Sequence, residues 1–190
     1  MQAVSDQLDG AATILLCASD GRGRGVCHRL LDDGVAEGRT VLWVSFDRSA
    51  EACLADRSDL STDRAVLAVG DAQTPGDDTP DGVTVDAVSS CSDLTALGIK
   101  LSRFLAATDG AITVCFDSVT TMLDHVDLDT AYEFLHTVTR QCFADGARVH
   151  FHLDPDAHDD RTVAIITSLC DACVTADDPP VVRARPSASE

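Results

Sequence analysis

Short apolar runs alternate with helix-periodic segments along nearly the whole chain, and this alternation limits the fold more than any other feature. ATILLCA, ending at Ala18, is too short for a helix and fits a strand buried on both faces; apolar residues then recur at Val26, Leu30, Leu31 and Val35, with Gly38 placed to end a helix. TVLWVSF (Thr40 to Phe46) is a second strand, and Ser49 is an N-cap for a helix running to about Arg57. AVLAV and VTVDAV follow as strands around the loop GDAQTPGDDTPDG. Ser90 with Asp93 has capping-box spacing and opens a helix striped by Leu94, Leu97, Leu101, Phe104 and Leu105. AITVCF (Ala111 to Phe116), a helix with Leu128, Ala131, Leu135, Val138 and Cys142 on one face, ARVHFHL, and a short helix leading into a final strand through TVAIITSLCDACVTA complete the series. Such an order predicts a three-layer α/β fold, a mostly parallel sheet with helices on both faces. Right-handed crossovers then gather the loops after the strands along one edge, where such sheets bind ligands. That edge would hold the glycine loop after the first strand, Asp47, Asp117 and Asp154.

The chain has 190 residues, which fits a single domain over 1–176 followed by a loosely held, proline-containing tail at 177–190. Its 28 aspartates and 4 glutamates against 13 arginines and Lys100 give a net charge of -18, spread along the whole length. Molar salt shortens the Debye length to about 3 Å and screens such self-repulsion, so the composition fits a salt-rich cytoplasm. An acidic face for a basic partner would require clustering of these residues, which the sequence lacks. With no basic patch, direct nucleic-acid binding is not expected, and no run is long enough to span a membrane or to act as a signal peptide. Of the eight cysteines, Cys17 and Cys115 lie inside strand-like runs, as small buried hydrophobes of a reducing compartment do.

The first loop reads Ala18-Ser19-Asp20-Gly21-Arg22-Gly23-Arg24-Gly25. In the phosphate-loop pattern G-x-x-x-x-G-K-[ST], glycines let backbone N–H groups surround the phosphates, a lysine reaches the terminal phosphates and a hydroxyl ligates Mg²⁺. Here only Gly23 matches. Ala18 replaces the first glycine, Arg24 stands for the lysine, Gly25 removes the hydroxyl, and Asp20 adds a negative charge. Arginine keeps the charge of lysine but is longer and planar. The glycines serve equally well for a plain strand-to-helix turn.

Taken together, TILLCASDGRGRGVCHRLL, GRTVLWVSFDRSAEACL, AITVCFDSVTTMLDHVDLDTAYEFLHTVTRQC, ARVHFHLDP and TSLCDACV resemble the RecA/KaiC-type P-loop ATPase domain, and more closely a haloarchaeal group of KaiC-like proteins of unestablished role. The resemblance implies a RecA-like fold to about Thr175. It further implies that Asp117, at the Walker B position, orients Mg²⁺ and its waters. The family's pair of glutamates, one of which activates the attacking water, is here Asp47 and Arg48, and Asp171 falls at a structural aspartate position before the closing strand. The departures concentrate in the chemistry while the framework is kept. A non-catalytic or weakly nucleotide-binding regulatory or scaffold protein, working by contacts with a protein partner or with itself, is therefore expected. The competing expectation is an active ATPase with ATP and Mg²⁺ held by Gly21, Arg22, Gly23, Arg24, Gly25 and Asp117, Arg24 serving as the lysine and Asp47 as the water-activating group.

Other motifs compete. A dinucleotide fingerprint fails because its third glycine would be Val26. HFHLDPDAHDD follows the metal-hydrolase pattern H-x-H-x-D-H until Pro155, leaving His150, His152 and a displaced His158. Cys170 and Cys173 have C-x-x-C spacing without a second such pair. A metal or thiol protein built on these residues is the third expectation. Trp43 and Tyr132 read as core residues with a polar tip.

Overall fold

The computed structural model describes residues 4–8, 10–19, 21–70, 82–177 and 179–184. Its strands are β1 (Thr13–Cys17), β2 (Thr40–Ser45), β3 (Arg64–Val69), β4 (Val83–Val88), β5 (Ile112–Asp117), β6 (Arg148–Leu153), β7 (Ala172–Thr175) and β8 (Val181–Ala184). The helices are α1 (Val4–Gln7), α2 (Arg24–Ala36), α3 (Ala50–Asp56), α4 (Leu94–Ala107), α5 (Val119–Leu123), α6 (Leu128–Ala144) and α7 (Asp160–Thr167). One sheet runs in the order β4-β3-β2-β5-β6-β1-β7-β8, parallel throughout except for the β7–β8 pair.

Alternation along each strand sends its residues to opposite faces, and each face is covered. Leu15, Val114, Phe116 and Phe151 pack with Leu97 and Leu101 of α4 and with Leu135 and Val138 of α6. Ile14, Leu16, Trp43 and Cys115 pack on the other side with Val26, Leu30 and Leu31 of α2 and Cys53 of α3. The three-layer α/β expectation holds.

Local signals were sharper in kind than in position. Ser49 caps α3 as expected, accepting from the Ala52 amide. Asp93, three residues past Ser90, caps α4 by accepting from Ala96 N at 2.9 Å. The carboxylate wins this position because Ser90 is occupied in a tight turn, its Oγ accepting from Ser92 N. Tyr132 is half-buried on α6 and stacks against His136 with rings 4° from parallel, since it lies beside the buried stripe instead of on it. The segment beyond residue 176 includes β8, which pairs with β7 through Val174↔Val182, so β7 is followed by a further strand. Asp20, the loop at 71–81 and residues 185–190 lie outside the described residues.

Candidate functional site

The loops following β1, β2, β5 and β6 surround a cavity of about 470 Å³, with Ala18, Asp47, Asp117 and Asp154 in its lining. The glycine loop forms part of one wall. Gly21 takes φ +72°, a conformation that only glycine adopts without strain. A β-carbon on Gly23 would stand 2.8 Å from Ala18 Cβ, so this glycine lets α2 start hard against β1. Gly25 has neither constraint; it is exposed, its surroundings are open to 4 Å, and it lies outside the cavity lining, as does Arg22.

Four amides at this turn have partners within the chain. Arg22 N donates to Ser19 O, Arg24 N to Gly21 O, and Val26 N and Cys27 N both to Gly23 O. A phosphate cradle requires successive N–H groups aimed at the anion. Ser19 Oγ is held between Asp154 Oδ1 at 2.9 Å and Asp156 Oδ2 at 2.7 Å, which ties the loop to the end of β6.

Two arginines of the crevice share one carboxylate. Asp56, at the end of α3, pairs with Arg24, with Arg48 at 3.3 Å and with His28 Nε2 at 3.2 Å. Arg57 is buried and bonded to Asp32 and Asp59. On the opposite wall Asp47 accepts from Ser118 Oγ at 3.0 Å and from Thr121 Oγ1 at 2.5 Å. Ser118 is itself the N-cap of α5. Burial pushes the Asp117 carboxyl above its ordinary range, His152 opposes that shift, and the Asp47 charge reinforces it.

These residues do not fit Mg²⁺–ATP. The metal-ligating hydroxyl is missing at Gly25, the arginine at the lysine position pairs with Asp56, and the water-activating position carries an aspartate held by two hydroxyls.

Beneath the loop the floor is thiol and imidazole. Because Val149, Phe151 and Leu153 face the α4–α6 core, His150 and His152 face α2. Cys115 lies beside His150 in the β5–β6 register, and Cys27 projects from the first turn of α2. Cys27 Sγ is 3.7 Å from Cys115 Sγ and 3.3 Å from His150 Nε2, and Cys115 Sγ is 3.5 Å from His152 Nε2. The Cys115 contact, aided by the two histidines, lowers the Cys27 pKa against the opposing effect of burial. Burial alone would lower His152, but Cys27 and then Asp117 outweigh it and raise its pKa.

The remaining motif residues are dispersed. His158 Nε2 contacts Thr120 Oγ1 at 3.3 Å, away from the other two histidines. Cys173 pairs with Cys17 at 3.5 Å instead of with Cys170; the Cys17 contact brings its pKa down to about 7. Asp171 has a structural place, accepting from Ala12 N, Thr13 N and Thr13 Oγ1 and so binding the start of β1 to the entry of β7. Sequence reasoning missed Asp56, Ser118, Thr121 and Cys27. Of these, only Ser118 carried a local signal, as a hydroxyl placed to cap a helix.

The sheet order and the layering define a RecA-like fold. The crystal structure of the flagellar accessory protein FlaH from Methanocaldococcus jannaschii is similar, with a TM-score of 0.52 and 12% sequence identity over 86% of this chain and 70% of that one. The chain belongs to the family of unknown function DUF7504, which matches residues 10–176. No curated protein matches it.

Proposed function

We propose that the protein is a RecA-like module that does not hydrolyse nucleotide and that works as a regulatory or scaffold protein, through contacts with a protein partner or a second copy of itself in a salt-rich cytoplasm. The observation that carries this reading is the commitment of Arg24 to Asp56 on one wall and of Asp47 to Ser118 and Thr121 on the other. Transfer of a phosphoryl group depends on charge stabilisation and positioning. A guanidinium turned to a carboxylate is directed away from a terminal phosphate, and a carboxylate accepting two hydroxyl hydrogen bonds is poorly placed to activate water. The active-ATPase reading needs Arg24 free to face a terminal phosphate, which the Asp56 pair opposes.

Phosphate release from ATP, measured in molar KCl with Mg²⁺, should stay at the uncatalysed background for the native chain and for Arg24→Ala alike. Mg²⁺-dependent turnover that disappears in Arg24→Ala would establish the ATPase instead.

A further inference from the structure

The ligand atoms of Cys27, Cys115, His150 and His152 all lie within 4.8 Å of one another. A tetrahedral zinc with Zn–S of about 2.3 Å and Zn–N of about 2.0–2.1 Å spaces its donors at about 3.8 Å from sulfur to sulfur and about 3.6 Å from sulfur to nitrogen. The observed separations are 3.7 Å between the sulfurs, with 3.3 and 3.5 Å from sulfur to nitrogen. Both sulfurs are free thiols, and their separation far exceeds the roughly 2.05 Å of a disulfide. We propose that Cys27 Sγ, Cys115 Sγ, His150 Nε2 and His152 Nε2 form a closed tetrahedral site for Zn²⁺ in the floor of the crevice.

A second observation points the same way. Asp117 Oδ1 lies 3.6 Å from His152 Nδ1, the ring nitrogen opposite the one that faces Cys115. At that separation the pair is ionic and not hydrogen-bonded; a carboxylate that closes to hydrogen-bond distance behind a ligating histidine fixes the tautomer that leaves the other nitrogen free for metal. Asp117 would then be a positioning residue for zinc, through His152, in place of a Mg²⁺ ligand. Four protein ligands leave no coordination position for water or substrate, which makes this a structural site. It would clamp α2 to β5 and β6 directly under the glycine loop, and its binding energy would add to the stability of the fold.

The full chain, purified in molar KCl without chelator, is assayed for metal content, and the metal-free form is titrated with Co²⁺ and Zn²⁺. The expected result is one zinc per chain, with the intense visible bands and thiolate-to-metal charge transfer of tetrahedral cobalt. X-ray absorption of the zinc form should show two sulfurs and two nitrogens. Cys27→Ser and Cys115→Ser should lose this spectrum, whereas Cys142→Ser, a buried cysteine outside the cluster, should keep it. Asp117→Asn should keep the spectrum but weaken zinc binding by about 10–100-fold. Failure to take up either metal while all eight thiols titrate overturns the site. So does a Cys27–Cys115 disulfide, or uptake that survives both serine variants. Should the serine variants fail to fold, a native zinc shell lacking sulfur contradicts the proposal on its own.

Discussion

A β-carbon on Gly34 would stand 2.7 Å from Thr113 Cγ2 and 2.9 Å from Thr113 Cβ, so glycine there lets α2 lie close against β5. Gly34→Ala should cost about 1–3 kcal/mol as overpacking, seen as a lower urea midpoint in molar KCl with an unchanged slope. Gly25→Ala, in open space on the same helix, should leave the midpoint level or slightly higher. Equal behaviour of the two variants would contradict the packing described. At this scale the sequence was informative wherever a residue's role is local. Gly21 and Gly23 make the turn that their spacing suggests, and the missing hydroxyl at Gly25 is evident from the pattern. Asp56 was opaque because its importance comes from Arg24 and Arg48, which reach it from other elements.

Carboxylates cap several helices, and their charge state links those elements to pH. The Thr130 amide and hydroxyl hold Asp127 below the ordinary carboxylate range, and the Thr162 hydroxyl and amide do the same for Asp159. A depressed folded-state pKa contributes stability above the unfolded value of about 3.9, and that contribution is lost as pH falls through the folded value. Asp117 acts in the opposite sense: its raised pKa favours the fold most at low pH, with the benefit declining as pH rises from the unfolded value through the folded one. Unfolding midpoints should therefore fall on the acid side below about pH 4, and Asp127→Asn should flatten part of that limb. An acid limb unchanged by the substitution would remove the cap from the explanation. The helices and buried strands were legible from periodicity and length alone. The α4 cap was displaced by three residues because Ser90 and Asp93 both satisfy the local chemistry, and β8 was missed because a short edge strand after paired prolines has little apolar signal.

Across the molecule, β6 sits between β5 and β1, and this insertion creates the thiol and imidazole floor. Cys27 and Cys115 are 88 positions apart, and Cys27 and His150 are 123 apart. No spacing rule could bring them together without the strand order. The sequence did indicate which strand ends would matter, because a parallel sheet places its loops along one edge whatever the order. Along that edge Arg24 turns to Asp56 and Asp47 to two hydroxyls, the arrangement from which we propose that it does not hold Mg²⁺–ATP. Equilibrium titration of labelled ATP in molar KCl, with and without Mg²⁺, tests this most directly, since the -18 net charge is then screened and cannot mask binding. The native chain should show no saturable, Mg²⁺-dependent binding; saturable binding that requires Mg²⁺ and is lost in Arg24→Ala would overturn that reading.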